Sequence, residues 1–335
     1  MQRTLCLIFA VLLLLSFCAC ENALGRNPQF AFVHSAEEDS YFRALAYSFT
    51  AAATELGYEC TVVKPENDTA EAQVALIEDL IEQGVKGIAL NANQMEGLED
   101  ALKKAEDAGI PVVTVGRDTK GSLLYIQPSS MDLAGQALME AVYDLTYGEG
   151  TFVVLSGEYP FSGFDAWVNC MGLAARDSKY QKLNWAETSY RFDGTGSTEE
   201  MMALLVQLQE KYPDLEVICC PGPQTLLACS KAIAELGMDI KATGMFMEPG
   251  KIPEFVGEDK PCPYFLTWNS SEIGRCVAYA LEALINGASL EAGGTFTTKL
   301  GEYPLQNGYA DHLQIVAGPP LQYPLPTVHI LPAPQ

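Results

Sequence analysis

Histidine, basic residues and closely spaced cysteines are scarce in this sequence of 335 residues. The three histidines are His34, His312 and His329, and the chain contains no GxSxG, HExxH or Walker-type motif. The glycine-containing stretches "GEGTFV" and "DGTGSTE" do not complete a dinucleotide-binding fingerprint. Because no reactive constellation is present, the sequence predicts a protein that is not an enzyme and that uses no cofactor.

Positive charge is also in short supply. Lys and Arg together number 20 against 43 Asp and Glu, which gives a formal net charge of −23. No basic cluster offsets this charge, and such a surface repels nucleic acid. The acidity is therefore interpreted as a contribution to solubility. The hydrophobic content of 48% argues against disorder, and the length is sufficient for about two domains.

No CxxC pair occurs among the ten cysteines, so the sequence predicts no bound metal and no redox motif. Cys6, Cys18 and Cys20 lie at the N-terminal end. The other seven are an odd number without tight spacing: Cys60, Cys170, Cys219, Cys220, Cys229, Cys262 and Cys276. They are predicted to be buried free thiols, which pack as small hydrophobic groups. One disulfide in the second half of the chain stays open as an alternative.

The first residues have the layout of a secretory signal. A short head ending at Arg3 precedes an apolar block over residues 4–17, and the chain turns polar at Glu21. The block has about fourteen residues, whereas a helix that spans the bilayer core needs roughly twenty. The block is therefore predicted to be removed rather than to serve as an anchor.

The sequence "FCAC" (residues 17–20) resembles the lipobox of bacterial lipoproteins, in which the signal is cut before a cysteine that carries a lipid. This resemblance implies a lipoprotein signal peptide over 1–19, lipid attachment at Cys20 and a linker over 20–27. The protein would then be anchored to the cell membrane on its extracytoplasmic face. Simple cleavage after Ala19 and modification of Cys18 remain alternatives.

From residue 28 onward, strand-like apolar runs alternate with helical patterns, and the whole series then occurs a second time. Asp68 is predicted to cap one helix, with Glu71 as its capping-box partner. The strand-like runs lie at 29–34, 59–64, 87–91, 111–116, 122–127, 151–157, 184–191, 216–222, 241–246 and 263–271. Strands this apolar, separated by helices, predict parallel sheets that are covered on both faces. The expected fold class is α/β, with two doubly wound Rossmann-like lobes and a ligand cleft at the carboxyl ends of their strands.

The chain resembles the type 1 periplasmic binding proteins over about residues 28–318. The stretches that carry the resemblance are "FVHSAEEDSYFRAL", "GVKGIALNANQ", "AGIPVVTVGRD", "YIQPSSMDLAGQALMEAV", "VICCPGPQTLLACSKAIAELG" and "TWNSSEIGRCVAYALEALINGA". The second and third together are specific for the group, whereas any single stretch is a weak signal. Within that family it is most similar to the ribose, rhamnose and autoinducer-2 group of solute-binding lipoproteins of ABC importers. The resemblance implies a three-crossing hinge between two lobes. The expected division is an N-terminal lobe of 28–127 plus 270–302, a C-terminal lobe of 128–269 plus 303–320, and a Pro-rich tail of 321–335.

The function implied by this resemblance is that of an extracytoplasmic receptor. Such a receptor closes its two lobes on a small polar ligand and presents it to an ABC permease. We expect the ligand to be a monosaccharide or related polyol and the protein to be a monomer. A ligand sensor that signals to a membrane kinase or chemoreceptor stays open as an alternative, as does a binder of autoinducer-2 or a nucleoside.

The first helix of the ribose-like branch begins with two aromatic residues that stack on the sugar, and Tyr41 and Phe42 occupy this position here. Aromatic rings cover the apolar C–H face of a sugar. For Phe42, core packing is the alternative, because Leu45 and Phe49 follow it at helical spacing.

The same branch has Asp-Arg after the fourth strand, where this chain has Gly116, Arg117 and Asp118. Arg117 matches, but the first carboxylate is missing unless Asp118 substitutes for it, and the alternative for both is a solvated loop pair. Planar charged groups pair with sugar hydroxyls. Asn91 ends the third strand and is a further candidate, with capping of the next helix as its alternative.

Autoinducer-2 binders have Asp-Gln a few residues before a tryptophan, and the matching positions here are Gly163 and Phe164. The lysine that those proteins use in their first loop falls near Ser35, so autoinducer-2 is disfavoured as the ligand. The second lobe instead suggests an aromatic-rich site with polar partners, each of which has a helix-capping or surface role as its alternative. These candidates are Phe164, Trp167, Arg191, Pro221, Gln224, Glu248, Trp268 and Asn269.

Overall fold

Internal contacts divide the chain into two units in the computed structural model, which describes residues 29–36, 40–156, 162–189, 198–308 and 312–324. The first unit contains the chain up to Gln127 together with Ser270–Val316. The second contains Pro128–Asn269 together with the chain from Ala317 onward. The chain therefore changes unit after Gln127, after Asn269 and after Val316.

Strands and helices alternate through most of the described chain. The strands are β1 (Gln29–Val33), β2 (Glu59–Val63), β3 (Gly87–Leu90), β4 (Val112–Val115), β5 (Leu124–Gln127), β6 (Gly150–Leu155), β7 (Leu183–Ser189), β8 (Leu215–Cys220), β9 (Lys241–Gly244), β10 (Phe265–Thr267), β11 (Thr295–Thr298), β12 (Gly301–Pro304), β13 (Gln306–Asn307), β14 (Leu313–Val316) and β15 (Leu321–Tyr323). The helices are α1 (Ser40–Glu55), α2 (Ala70–Gln83), α3 (Glu99–Asp107), α4 (Met131–Leu145), α5 (Ser162–Ala174), α6 (Thr198–Lys211), α7 (Pro223–Leu236), α8 (Ile252–Phe255) and α9 (Ser270–Ile285).

The first unit is built on a seven-stranded sheet of order β13-β14-β5-β4-β3-β1-β2. Its pairs are parallel except β13 with β14, which is antiparallel. Alternate residues of β1 point to opposite faces, as strand geometry requires. Ala31 packs with α2 and α3, whereas Phe30 and Phe32 stack near Phe49 of α1 at centroid distances of 6.1 and 5.5 Å. Helices therefore cover both faces of this sheet.

Helices α1 and α9 pack closely although more than two hundred residues separate them in the chain. A Cβ added at Gly274 of α9 would lie 2.6 Å from the Leu45 carbonyl oxygen and 2.8 Å from the Phe49 nitrogen. The Ser48 hydroxyl also donates to the Ser271 carbonyl at 2.6 Å. Glycine is therefore required where the two helices meet.

The second unit has a four-stranded parallel sheet of order β7-β6-β8-β9. Phe152 and Val154 of β6 pack with α4 and α5, whereas Val153 and Leu155 pack with α6 and α7. Helices thus cover both faces here as well. Strand β10 pairs antiparallel with β15 beside this sheet. The two parallel sheets confirm the α/β fold class predicted from the sequence.

Two local expectations differ from the structure. The sequence analysis assigns residues 303–316 to the second lobe, but β14 pairs in parallel with β5 over Leu313–Val316, so this segment lies in the first unit. Helix α2 is capped by Thr69 rather than Asp68, because Thr69 has an extended backbone and its hydroxyl accepts from the Ala72 N–H at 3.3 Å.

The seven cysteines of the described chain are free thiols, which confirms the prediction that they do not pair. Cys60 and Cys170 are half-buried. The buried ones are Cys219, Cys220, Cys229, Cys262 and Cys276. Cysteine therefore contributes to these cores by packing rather than by cross-linking.

Candidate functional site

Polar side chains follow β1, β3 and β4 at the carboxyl edge of the first sheet, which we call the first edge (residues 34–36, 91–93 and 116–118). The Asn91 side-chain amide donates to the Ser35 hydroxyl at 3.1 Å, and its oxygen accepts from the Arg117 backbone N–H at 3.4 Å. Asn91 is buried, and Ser35 is only 7% exposed. The structure thus brings three of the predicted ligand residues together. Their contact with a ligand stays a prediction.

A buried glutamine supports this edge and was missed by the sequence analysis. The Gln73 amide of α2 donates to the His34 and Asn91 carbonyls at 2.9 and 2.8 Å, and its oxygen accepts from the Asn93 N–H at 2.7 Å. Gln73 is fully buried. Its spacing to Ile77 and Leu80, which are also buried, is the signal that could have placed it on the core face of the helix.

Asn93 holds the loops that surround the first edge. Its side-chain oxygen accepts from the Ala36 N–H at 2.8 Å, and its amide donates to the Asn67 and Thr69 carbonyls at 3.1 and 3.2 Å. The amides of Asn91 and Asn93 are thus both committed to protein partners. Buried amides satisfied in this way fix the loop geometry.

Arg117 is the exposed cationic residue of the first edge. One of its guanidinium nitrogens donates to the Asn93 carbonyl, and its own carbonyl accepts from the Ala92 N–H at 3.4 Å. A guanidinium carries five N–H donors, so this anchor leaves donors for a ligand. Arg117 can therefore act as a fixed hydrogen-bond donor.

The Asp118 carboxylate, in contrast, is engaged within the protein. One oxygen accepts from the Thr114 hydroxyl and the Thr119 N–H, both at 2.9 Å, and the other is bonded to His312 Nε2. The Asp118 side chain is 13% exposed. The expectation that Asp118 replaces the missing carboxylate stays a prediction, and its partners in the structure give it a different role.

Tyr41 and Phe42 form an edge-to-face pair at the start of α1, with ring centroids 5.0 Å apart and planes at 71°. Both are half-buried, unlike Leu45 and Phe49, which are fully buried in the core. The Phe42 ring lies against Gly116, where an added Cβ would be 2.7 Å from Phe42 Cε1. The aromatic pair thus borders the first edge.

Gly116 adopts a left-handed backbone with φ of 78°, which favours glycine. Its carbonyl accepts from the Tyr125 hydroxyl at 3.0 Å. Burial, together with the negative charge of Asp118, raises the pKa of Tyr125 above its ordinary value, so its hydroxyl remains a donor at neutral pH. The Phe42 ring and the Tyr125 hydroxyl thus both hold the turn that carries Arg117.

Aromatic side chains gather around Trp268 in the second unit. We call the region where the strands of this unit end the second edge (residues 156, 221, 246 and 268–269). Trp268 is 5.8 Å from Trp167 and 5.3 Å from Phe246 between ring centroids, both in edge-to-face geometry. Phe246 has a positive φ of 62°, which is unusual for a bulky residue. Backbone strain of this kind is often found at binding sites. Asn269 follows Trp268 and is half-buried.

The remaining candidates of the second unit are more scattered. Pro221 is buried after β8, whereas Gln224 and Glu248 are exposed. Arg191 and Cys20 lie outside the described residues, as does the side chain of Phe164. Their assignments stay predictions.

One buried hydroxyl at the second edge was also missed by the sequence analysis. Among the described residues, Ser156 Oγ is buried and has no hydrogen-bond partner, and it directly follows β6. A buried polar atom without a partner is uncommon. A ligand or an ordered water can satisfy it.

Within the described parts of the chain, no group of three or more His, Cys, Asp or Glu residues is arranged to hold a metal ion. The same residues contain no helix with the length and apolar content needed to cross a membrane.

Two α/β units, each with a parallel sheet whose carboxyl edge carries aromatic and polar side chains, define the protein as a two-unit member of the doubly wound class. The sequence profile of the periplasmic binding protein domain matches residues 30–289, and the chain belongs to this family. The family consists of extracytoplasmic substrate-binding proteins of transporters, not of enzymes. The resemblance drawn from the sequence is thus confirmed.

Curated relatives include sugar import proteins at low identity. The ribose import binding protein of Bacillus subtilis is 22% identical over 251 residues, which cover 75% of this chain and 79% of that protein. The fructose import binding protein of Bifidobacterium longum is 22% identical over 310 residues, with 87% and 91% covered.

Solved structures share the fold. A solute-binding protein from Clostridium phytofermentas with bound L-rhamnose is 28% identical, has a TM-score of 0.57, and is matched over 89% of this chain and 96% of that one. A sugar ABC transporter protein from Actinomyces odontolyticus is 24% identical with a TM-score of 0.72, over 89% and 97% of the two chains. At that identity the second comparison shows the fold alone.

Proposed function

We propose that the protein is a solute-binding lipoprotein of an ABC importer that binds a monosaccharide or related polyol. The observation that carries this proposal is the pairing of aromatic rings with polar groups at each edge. Tyr41 and Phe42 border Arg117 at the first edge, and Trp268 precedes Asn269 at the second. Aromatic faces suit the C–H surface of a sugar, and guanidinium and amide groups suit its hydroxyls.

The relatives support the same ligand class. Two of them are named for ribose and fructose import, and one solved structure contains L-rhamnose. Closure of the two units on the ligand, a permease in the membrane as partner, a monomeric state and a lipid on Cys20 belong to the same proposal.

In this proposal the first edge acts mainly through donors and aromatic surface. Arg117 donates to hydroxyl oxygens, while Tyr41 and Phe42 cover the apolar face of the ring. The Asp118 carboxylate is already bonded inside the protein. We therefore expect a preference for sugars with a substantial apolar face.

A thermal-shift screen of the purified protein tests this function. The panel contains D-ribose, D-fructose, L-rhamnose, L-arabinose, D-allose, xylitol, a nucleoside and autoinducer-2. A ligand that binds only the folded protein stabilises it by about 2.7 kcal/mol at a hundred times its dissociation constant. We expect at least one sugar or polyol to raise the melting temperature by several degrees. If only the nucleoside or autoinducer-2 does so, or none does, the proposed ligand class is wrong.

A further inference from the structure

The loop from Gly116 to Leu123, which we call the Arg117 loop, joins two adjacent parallel strands without a helix. Parallel neighbours are usually joined by a dozen or more residues. A short connection of this kind needs anchors along its length. The Thr119 hydroxyl and the Lys120 N–H both bond to the Met95 carbonyl, at 3.0 and 2.8 Å, and hold its middle.

A further anchor of the Arg117 loop comes from a distant part of the chain. His312 Nε2 is bonded to Asp118 Oδ2, and the two side chains are only 7% and 13% exposed. A carboxylate has only acceptors, so Nε2 is the donor. His312 directly precedes β14, which pairs in parallel with β5 at the far end of the same loop. The other Asp118 oxygen accepts from the Thr114 hydroxyl of β4.

Asp118 thus ties together β4, the loop and the segment that leads into β14. Hydrogen bonds that involve a charged group contribute more than neutral ones and hold their partners more firmly when they are buried. Arg117 directly precedes Asp118 in the chain, so the direction of its backbone depends on the orientation of Asp118.

We propose that His312 is a positioning residue for sugar binding, which acts through Asp118 to hold the Arg117 loop in the geometry that presents the guanidinium. This inference rests on the proposed function, since it assumes that Arg117 contacts the sugar. His312 does not touch the ligand. Its effect reaches the site through the Asp118 carboxylate.

Amide hydrogen exchange in the ligand-free protein tests the anchor without any sugar. We compare the full-length protein with the variants His312→Ala, His312→Gln and Gln314→Ala. Gln314 lies on β14 and donates to Gln127 at 3.1 Å, away from Asp118, so its variant controls for general damage to that strand. In His312→Ala, we expect the Thr119 amide, which is bonded to Asp118, to exchange about tenfold faster. The variant His312→Gln retains a hydrogen-bond donor and should restore much of the protection of the Thr119 amide. Gln314→Ala should leave that protection unchanged.

Sugar affinity tests the consequence. With L-rhamnose, or the panel member that gives the largest thermal shift, as the probe, we expect His312→Ala to weaken binding about three- to tenfold. In a protein that already carries Arg117→Ala, the same change should have almost no effect, because coupled residues are not additive. His312 also lines a cavity of about 770 Å³, so imidazole at millimolar concentration should enter the truncated site and restore part of the affinity.

The outcomes separate the two proposals. If no sugar binds, the proposed function fails, and if Arg117→Ala leaves affinity unchanged, the role of Arg117 in it fails. In either case the exchange comparison still decides whether His312 holds the loop. If Arg117→Ala weakens binding but the effect of His312→Ala is the same with and without it, the positioning role is overturned and the proposed function stands. Equal exchange rates of the Thr119 amide in His312→Ala and Gln314→Ala also overturn the positioning role of His312.

Discussion

Gly116 directly precedes Arg117, and its surroundings leave no room for a side chain. The backbone is left-handed, and the Phe42 ring fills the space that a Cβ would occupy. The polar amides next to it, those of Asn91 and Asn93, are bonded to the protein. At residue scale, therefore, the first edge is shaped by aromatic packing around a glycine.

This arrangement predicts different outcomes for two glycine substitutions. Gly57 has a similar positive φ of 86° but no atom within 4 Å of an added Cβ. A left-handed alanine costs roughly 1–2 kcal/mol, so Gly57→Ala should lower the free energy of unfolding by about that amount and Gly116→Ala by at least as much. Only Gly116→Ala must displace Phe42, so only it should weaken sugar binding, as measured by titration calorimetry. Equal affinities in the two variants would contradict the proposed role of Phe42.

Cysteine reactivity is a second residue-scale prediction. Burial raises the pKa of Cys219, Cys262 and Cys276 to about 12, so these groups remain thiols at pH 8, and the thiolate is the reactive form. Burial also raises the pKa of the more accessible Cys60 and Cys170. Of the seven described cysteines, we expect only Cys60 and Cys170 to react with a chromogenic disulfide reagent at pH 8 in the native protein, more slowly than free cysteine.

The five buried thiols should react after addition of denaturant, which serves as the internal control. Rapid reaction of more than two of the seven described cysteines without denaturant would show that the cores are more open than the structure indicates.

At the scale of helices and strands, the sequence predicted the alternation of elements well because apolar runs and glycine stops are local signals. It placed the cap of α2 one residue early, since Asp68 and Thr69 are both good caps and only the backbone angles distinguish them. The pairing of β14 with β5 joins residues nearly two hundred positions apart, and no local pattern encodes it. The bond between Asp118 and His312 was missed for the same reason.

The contact between α1 and α9 gives a prediction at this scale. Gly274→Ala would place a methyl group against the α1 backbone, which cannot move as a side chain can. Overpacking of this kind typically costs about 1–3 kcal/mol. Gly172 of α5 is the matched control, since it is also helical and has no atom within 4 Å of an added Cβ. The variant Gly172→Ala should raise the free energy of unfolding by about 0.5–1 kcal/mol. Urea unfolding measures the free energy of unfolding of both variants. Equal changes in the two would contradict the close packing of α1 against α9.

At the scale of the whole molecule, the family and the two-unit α/β fold were predictable because the motifs extend over most of the chain. The identity of the ligand was not predictable, because some of the polar side chains at candidate positions form hydrogen bonds within the protein. Asp118 is the clearest case: as a sequence position it is a ligand candidate, and in the fold it is an anchor.

Membrane attachment is the prediction that concerns the whole protein. Cys20→Ser should abolish incorporation of labelled palmitate and release the protein from the membrane fraction, because a serine cannot form the thioether. Cys18→Ser is the matched control and should remain attached. Fractionation of cells that express each variant, followed by immunoblotting, measures this. Retention of the label in Cys20→Ser would favour Cys18 as the modified residue, and absence of label in the unmodified protein would favour simple cleavage after Ala19.

The first unit is made from two stretches of chain, one before and one after Pro128–Asn269, the larger stretch of the second unit. Its helix α9 and strand β14 leave the ribosome only after Pro128–Asn269 has been made. At about 5–20 residues per second, residues that precede Gln127 wait on the order of ten seconds or more for the partners that complete their sheet. The four-stranded parallel sheet of the second unit can close in the meantime, so the parallel sheet that is begun first is the one that is completed last.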